Sequence, residues 1–140
     1  MHNIRRGTIG ELVCALRLMK LGVDCQIINF KSVDIIADTR IGPMRVQVKS
    51  SMQHQVSVGK RVYKDDGYYH FCVSVGGKKN PLTPDMCDIV ALVATDVERV
   101  KFVTLEQVAR RKSIRTAARL FTVPGLEEDS WESVMEDLVR

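Results

Sequence analysis

The sequence has no apolar run that approaches the roughly 20 residues of a membrane-spanning helix. It also has no internal repeat or low-complexity segment, and its four cysteines form no CxxC pair. Cys14, Cys72 and Cys87 sit among apolar residues, and the spacing of the four cysteines, Cys25 included, favours buried free thiols over zinc ligands or disulfides. The N-terminus lacks the apolar segment of a signal peptide, so we expect a cytoplasmic protein.

The amino-acid composition is typical of a globular protein, and the charged residues are unevenly distributed along the chain. The 140 residues are 45% apolar and 27% charged, which predicts one domain with a single core. Residues 1–126 carry 20 Lys and Arg against 11 Asp and Glu, whereas residues 127–140 carry one Arg against six acids. A basic body with an acidic tail favours a polyanionic partner for the body, although a solvated charged surface has the same composition.

Residues 33–51 predict a β-hairpin. An Ile- and Val-rich run that opens with Asp34 is separated by Gly42-Pro43 from a second run in which polar and apolar residues alternate. On a strand, residues two apart share a face, so Gln47 and Lys49 point the same way. The hairpin can therefore hold a carboxylate, an amide and an ammonium group together on one face of a sheet.

This group of side chains suits a divalent cation beside a phosphate. Mg²⁺ prefers oxygen ligands, and here Asp34 is the expected central ligand, with the Val48 carbonyl and the Gln47 amide oxygen close by. Lys49 would stabilise negative charge that develops on the phosphate and could position or deprotonate the attacking water. Taken singly, each of these residues is an ordinary strand or turn residue, and only their combination predicts a site.

Residues 8–21 place apolar side chains at helical spacing, and Gly22 predicts where this helix ends. Glu11 has two interpretations. Thr8 and Glu11 match a capping box, in which the glutamate only satisfies backbone donors at the start of a helix. Alternatively, Glu11 lies one turn into the helix that precedes the hairpin, where it could bind a metal directly or through water.

The rest of the pattern predicts a mixed α/β domain. Strands are expected at 23–30, 68–75, 87–94 and 100–103, with 87–94 as a central buried strand paired with the last one. Residues 52–67 and 76–81 are expected to be loop and turn. We predict a basic helix over 104–121, capped by Thr104 with Gln107, and a short acidic helix capped by Asp129 with Glu132. The apolar stripe of that acidic helix, which should dock on the body or on another subunit, consists of Trp131, Val134, Met135 and Leu138.

Clusters of cations predict where a polyanion would bind. They fall in the two loops and in the predicted basic helix, where a solvated face is the alternative. The candidate DNA-binding residues are Lys60, Arg61, Lys64, Lys78, Lys79, Arg110, Arg111 and Arg115.

The segments Gly10-Glu11, 33–37 and 45–50 resemble the signature of the PD-(D/E)XK nuclease superfamily. The similarity spans residues 7–105. It is greatest to the small group with Gln in place of the second acid, the QxK-type intron-encoded homing endonucleases, and more distant to archaeal Holliday-junction resolvases. Two departures are the missing proline, with Val33 in its place, and the uncharged Gln47.

The resemblance implies a restriction-endonuclease-like core over residues 1–126, with the acidic segment 127–140 packing on it or on a partner subunit. It implies a catalytic set of Glu11, Asp34, Gln47 and Lys49. Metal ligation by Asp34, Val48 and Glu11 is implied as well, with Mg²⁺ as the cofactor and Mn²⁺ able to substitute.

These features give one leading functional hypothesis and two alternatives. The leading one is a Mg²⁺-dependent endonuclease for double-stranded DNA, of the site-specific homing kind. Since one short chain has one active site, cutting both strands implies a homodimer or homotetramer. The alternatives are a structure-selective nuclease that recognises branched DNA, and a nuclease-like DNA-binding module without catalysis, for which the neutral Gln47 is the support.

Overall fold

The protein is described here by a computed structural model that covers residues 3–30, 33–51, 54–55, 57–58, 61–62, 67–75 and 80–140. Within these residues it forms helices, one larger mixed sheet and several short antiparallel pairings. In chain order the elements are α1 (Asn3–Lys20), β1 (Asp24–Phe30), β2 (Val33–Thr39), β3 (Gly42–Ser51), β4 (His54–Gln55), β5 (Ser57–Val58), β6 (Arg61–Val62), β7 (Tyr68–Cys72), β8 (Ser74–Val75), β9 (Asn80–Pro81), β10 (Ile89–Ala94), β11 (Arg99–Thr104), α2 (Leu105–Val108), β12 (Ser113–Ala117), a 3₁₀ helix (Ala118–Thr122) and α3 (Leu126–Leu138).

A five-stranded mixed sheet in the order β1-β2-β3-β10-β11 forms the centre of the fold. β2 and β3 pair antiparallel across a tight turn, and Gly42 takes the positive φ of 109° that this turn needs. β3 then pairs with β10 in parallel, which places Gln47 beside Val90 and Lys49 beside Leu92. The predicted hairpin over 33–51 and the mixed α/β class are both confirmed.

One layer covers each face of this sheet. On the first face, α1 and α3 contribute Leu18 and Trp131 to a buried cluster that includes Val46. On the second face, a three-stranded sheet in the order β12-β7-β4 contributes Phe71 to a cluster that includes Leu92. β10, predicted to be the central strand, is buried at every position. Side chains that alternate along β3 therefore face different layers.

The first helix ends at Lys20, close to the Gly22 that predicts its end. The Val23 N–H donates to the Leu18 carbonyl and the Gly22 N–H donates to the Met19 carbonyl, with Gly22 at a φ of 81°. This pair of bonds is a Schellman motif, which satisfies carbonyls that the end of the helix would leave without donors. The chain then turns directly into β1, the edge strand of the sheet.

The other predicted strands are largely confirmed. Those expected at 23–30, 87–94 and 100–103 correspond to β1, β10 and β11, and β10 pairs antiparallel with β11 as expected. The strand expected at 68–75 is interrupted at Val73, between β7 and β8. Segment 52–67 contributes the short strands β4, β5 and β6, while its remaining residues up to 66, and the turn residues 76–79, lie outside the described part of the chain.

The single helix predicted over 104–121 is wrong. The capping box is present, with the Gln107 N–H donating to the Thr104 hydroxyl, but the helix it starts ends at Val108. The backbone is already extended at Ala109, with a ψ of 141°, Arg110 has a positive φ of 69°, and β12 then pairs antiparallel with β7. The β-branched Ile114 and Thr116 favour this strand, and the pairing with β7 overrides the helical spacing of the alanines and leucines around them.

The cap predicted for the acidic helix is also wrong. α3 starts at Leu126 after Gly125, so Asp129 lies inside the helix, although its acids still fall in the first turn where the helix dipole favours them. The apolar stripe of α3 packs against β11 of the same chain, where the rings of Trp131 and Phe102 meet edge to face with centroids 5.0 Å apart.

The cysteines differ from one another in exposure. Cys14 and Cys87 are buried as predicted, Cys25 is half-buried, and Cys72, expected to be buried, is exposed because it lies on the outward face of β7. No disulfide joins any of the four, all of which lie in described residues. Among the described helices, none combines the length and apolarity needed to cross a bilayer.

Candidate active site

Asp34 is the centre of the candidate site. It stands at the start of β2, where the register with β3 places it beside Gln47. Its Oδ2 accepts a hydrogen bond from the Val48 N–H at 2.7 Å and another from the Gln47 Nε2 at 3.0 Å. Burial raises the pKa of Asp34, and the Val48 hydrogen bond and the Lys49 charge oppose that rise. Two hydrogen bonds from neighbouring groups on β3 thus hold Oδ2 of this carboxylate in place.

The Gln47 side chain is oriented by that carboxylate. Because a carboxylate only accepts hydrogen bonds, the amide must present its nitrogen to Asp34, which turns Oε1 the other way. Gln47 Oε1 is buried and has no hydrogen-bond partner among the described residues. A buried acceptor without a donor costs about 1–3 kcal/mol, so such an atom calls for a functional explanation. A cation or a water molecule bound at this oxygen would supply the missing partner.

The Val48 carbonyl faces the same side as Asp34. The carbonyls of Arg45 and Ser51 accept from the N–H groups of Asp88 and Thr95, so the odd-numbered peptides of this strand point toward β10. Peptide groups alternate along a strand, and both groups of one residue point to the same side. Val48, whose N–H reaches Asp34, therefore directs its carbonyl toward β2 as well.

Lys49 is held over the same face by a residue that sequence analysis missed. Its Nζ donates to the Ser74 carbonyl at 2.9 Å, and Ser74 is only 4% exposed. Burial lowers the pKa of Lys49, while neighbouring groups, the carboxylate of Asp34 among them, oppose the decrease. Nothing in the sequence points to Ser74, because its contribution is a backbone carbonyl at the break between β7 and β8.

Glu11 lies two turns inside α1, since the helix begins at Asn3. The capping interpretation of Thr8 and Glu11 is therefore wrong. Glu11 is half-buried and accepts a hydrogen bond from the side chain of Asn29, which itself has a positive φ of 49°. Burial raises the pKa of Glu11, and the nearby charge of Asp34 raises it further. The helix thus brings a second carboxylate within electrostatic range of the first.

Gly10 allows α1 to approach β3 this closely. A Cβ added at Gly10 would overlap the Ser50 Oγ and lie 3.2 Å from the Ser50 Cβ. At Gly7, on the same helix, an added Cβ would meet open space, with no contact within 4 Å. Helix propensity favours alanine over glycine at both positions. The two positions therefore differ in the contact that an added Cβ would make with Ser50.

We expect Gly7→Ala to raise the free energy of unfolding by about 0.5–1 kcal/mol, as for a glycine in an open helical position. Gly10→Ala should instead lower it by about 1 kcal/mol or more, because crowding in a packed interface outweighs propensity. Urea unfolding of both variants measures the difference. Equal stabilisation by the two substitutions would contradict the close approach of α1 to β3.

The donor set fits a hard divalent cation better than zinc or iron. It comprises the carboxylates of Asp34 and Glu11, the Gln47 amide oxygen and the Val48 carbonyl, all of them oxygens. Within the described residues, no group of three or more His, Cys, Asp or Glu side chains could hold a metal. A cation here would consequently depend on the amide, the backbone, water and substrate oxygens to complete its coordination.

Only part of the predicted DNA-binding set can be located. Arg110, Arg111 and Arg115 are all exposed, the first two in the segment between α2 and β12 and the third on β12. Arg61 lies on β6, and its side chain is outside the described set. The remaining candidates, Lys60, Lys64, Lys78 and Lys79, fall outside the described residues.

Comparison with known proteins finds similarity at the level of the fold. The fold is similar to the solved structure of a bacterial homing endonuclease, I-Ssp6803I, with a TM-score of 0.60 and 17% sequence identity. The match covers 83% of this chain and 75% of that one. No protein-family model matches the chain, and no curated protein matches it significantly. At this identity, the comparison establishes a shared homing endonuclease-like fold.

Proposed function

We propose that the protein is a Mg²⁺-dependent endonuclease of the PD-(D/E)XK type that hydrolyses phosphodiester bonds in DNA. The observation that carries the proposal is the buried Gln47 Oε1 beside the carboxylate of Asp34, an acceptor to which no described residue donates. The similarity of the fold to that of a homing endonuclease supports it independently.

Asp34, the Gln47 amide oxygen and the Val48 carbonyl would hold Mg²⁺, with Glu11 as a direct or water-bridged ligand. The ion, when bound, would supply an activated water and neutralise charge on the phosphate oxygens. Lys49 contributes a positive charge on the same face, fixed by Ser74, where it can stabilise the negative charge that develops during hydrolysis.

Supercoiled plasmid incubated with the protein tests the proposal. With Mg²⁺ we expect nicked and then linear DNA, with Mn²⁺ the same products, and with EDTA none. A four-way junction and a linear duplex of the same sequence, compared in parallel, separate a site-specific enzyme from a structure-selective one. Absence of cleavage on all of these DNAs, together with absence of Mg²⁺ binding, would reject the proposal.

A DNA-binding module without catalysis is the second candidate. The observation that favours it is the neutral Gln47, whose amide already donates to the Asp34 Oδ2 alongside the Val48 N–H. These internal donors satisfy part of the carboxylate without any metal. DNA binding that persists in EDTA, with no cleavage in Mg²⁺, would favour this candidate.

We further propose a homodimer or homotetramer, because each chain carries one such site and cutting a duplex takes two. Light scattering during gel filtration should give at least twice the mass of 15.8 kDa that belongs to one chain. A monomer that still linearises plasmid in a single binding event would contradict this arrangement.

A further inference from the structure

The second sheet turns a face outward that the candidate active site does not include. Along β7, Tyr69 and Phe71 are buried against the main sheet, whereas His70 and Cys72 are exposed. β12 pairs with β7 so that Arg115, also exposed, lies directly beside His70. Residues paired across a ladder share a face of the sheet. We call this surface, carrying His70, Cys72, Ser113 and Arg115, the outer face of the second sheet.

The segments that build this face carry only positive charge. Within the described residues, 67–75 and 107–126 contain five Lys and Arg and no Asp or Glu. The acids of the C-terminal segment lie on α3, which covers the opposite face of the main sheet. The cations of residues 107–126 thus lie on the other side of the main sheet from the acids of α3, which favours a polyanion on the side of the second sheet.

Arg115 is held in place on this face. Its Cζ lies 5.5 Å from the ring centroid of Tyr68, which is 3% exposed. A guanidinium stacked on a buried aromatic ring keeps its charge and loses little further freedom when it binds a phosphate. The imidazole of His70, next to it on β7, adds a second possible hydrogen-bond donor.

The strand that carries the outer face is connected to Lys49 through Ser74. Cys72 is two residues from His70 along β7, a distance of about 7 Å on a strand. The Cys72 Sγ lies 3.2 Å from the Ser74 Oγ, and the Ser74 carbonyl is the acceptor for the Lys49 Nζ. One continuous stretch of chain thus connects the candidate catalytic lysine with the pair formed by His70 and Arg115.

We propose that Arg115, with His70 beside it, binds a backbone phosphate of the same DNA strand whose scissile bond lies at Asp34 and Lys49. The inference rests on the proposed function, because it takes DNA as the substrate of that site. A contact to phosphate carries no sequence information but fixes the register of the strand in the site. Arg115 is accordingly a positioning residue, remote from the reacting atoms.

Binding of a fluorescein-labelled duplex, followed by anisotropy in EDTA across a salt series, tests this inference without cleavage. Arg115→Ala should weaken binding about tenfold at low salt, as expected for a lost charge-assisted bond. The slope of log affinity against log salt should become shallower by about 1, the amount for one phosphate contact. Arg115→Lys should keep the slope and lose part of the affinity.

The matched control is Arg140→Ala, which removes one exposed arginine next to the acidic helix. It should leave both the affinity and the salt slope as in the wild type. If Arg115→Ala behaves like Arg140→Ala, or if the wild type does not bind the duplex at low salt, the inference is wrong. Wild-type binding with the expected Arg115 effect, but neither cleavage nor binding of Mg²⁺, would reject the nuclease proposal and leave Arg115 as a phosphate contact of a DNA-binding protein without catalysis.

Discussion

Asp34→Asn should lower the rate of plasmid cleavage by about 10³-fold, because the loss of a ligand carboxylate removes several kcal/mol of charge stabilisation. Asparagine has nearly the same shape, and its side-chain oxygen can still accept from the Val48 N–H and the Gln47 amide. The fold should therefore remain, and DNA binding in EDTA should be unchanged or slightly tighter, since one negative charge is gone.

Asp38→Asn is the matched control. Asp38 lies on the same strand as Asp34, four residues on and therefore on the same side of the sheet, but its side chain is exposed. Its substitution should leave the cleavage rate within about twofold of the wild type, as for a surface change away from the site. If both variants retain full activity, the hairpin is not the nuclease site.

The second large effect concerns stability. Glu127 is 3% exposed, and its Oε2 accepts from the Arg99 Nε and from the Val100 N–H, both at 2.9 Å. Glu127→Ala should lower the free energy of unfolding by about 3–5 kcal/mol, because it leaves a largely buried guanidinium without its carboxylate. Chemical denaturation followed by circular dichroism measures this loss.

An exposed ion pair between another glutamate of α3 and the turn that joins β2 to β3 provides the control. Arg40 Nη1 and Glu132 Oε1 are 3.0 Å apart, with about half of each side chain exposed. Glu132→Ala should cost less than about 1 kcal/mol, the usual limit for a solvated pair. Similar losses for Glu127→Ala and Glu132→Ala would contradict the view that burial makes the Glu127 pair important.

The contribution of Glu127 to the free energy of unfolding should also depend on pH. Burial raises the pKa of Glu127, but the hydrogen bonds from Arg99 and Val100 outweigh this effect and hold the pKa below its usual value. A carboxyl group whose pKa is lower in the folded state stabilises the fold above its unfolded pKa, and this stabilisation is lost as the pH falls through the folded pKa. The stability gap between wild type and Glu127→Ala should narrow in acid. A gap that stays constant from neutral pH to strongly acidic pH would contradict this assignment.

The hairpin could be predicted from sequence because the residues that specify it lie close together in the chain. The turn at Gly42 and the alternation along 44–49 fix the register, and the register alone brings Asp34 beside Gln47. The parallel partner β10 was equally recognisable as an apolar run that had to be central. Together these segments specify the centre of the sheet and three of the four predicted site residues.

The errors arise where distant segments decide the structure. The pattern over 104–121 fits a helix, but Ser113–Ala117 forms a strand because β7 offers a pairing partner more than 40 residues earlier in the chain. Ser74 was missed because it contributes its backbone carbonyl to the site, and every residue type has such a carbonyl. The orientation of Gln47 Oε1, away from every donor in the described part of the chain, follows from a hydrogen bond that only the folded hairpin forms.

Mg²⁺ titration of a protein–DNA complex most directly tests whether this site holds the metal. Lys49→Ala provides a background that should bind DNA and metal with little cleavage, so that calorimetry can follow the cation alone. The account predicts Mg²⁺ binding in this background, weaker binding when Gln47→Leu is added, and none at the site when Asp34→Ala is added. Identical Mg²⁺ binding with and without Asp34 would contradict it.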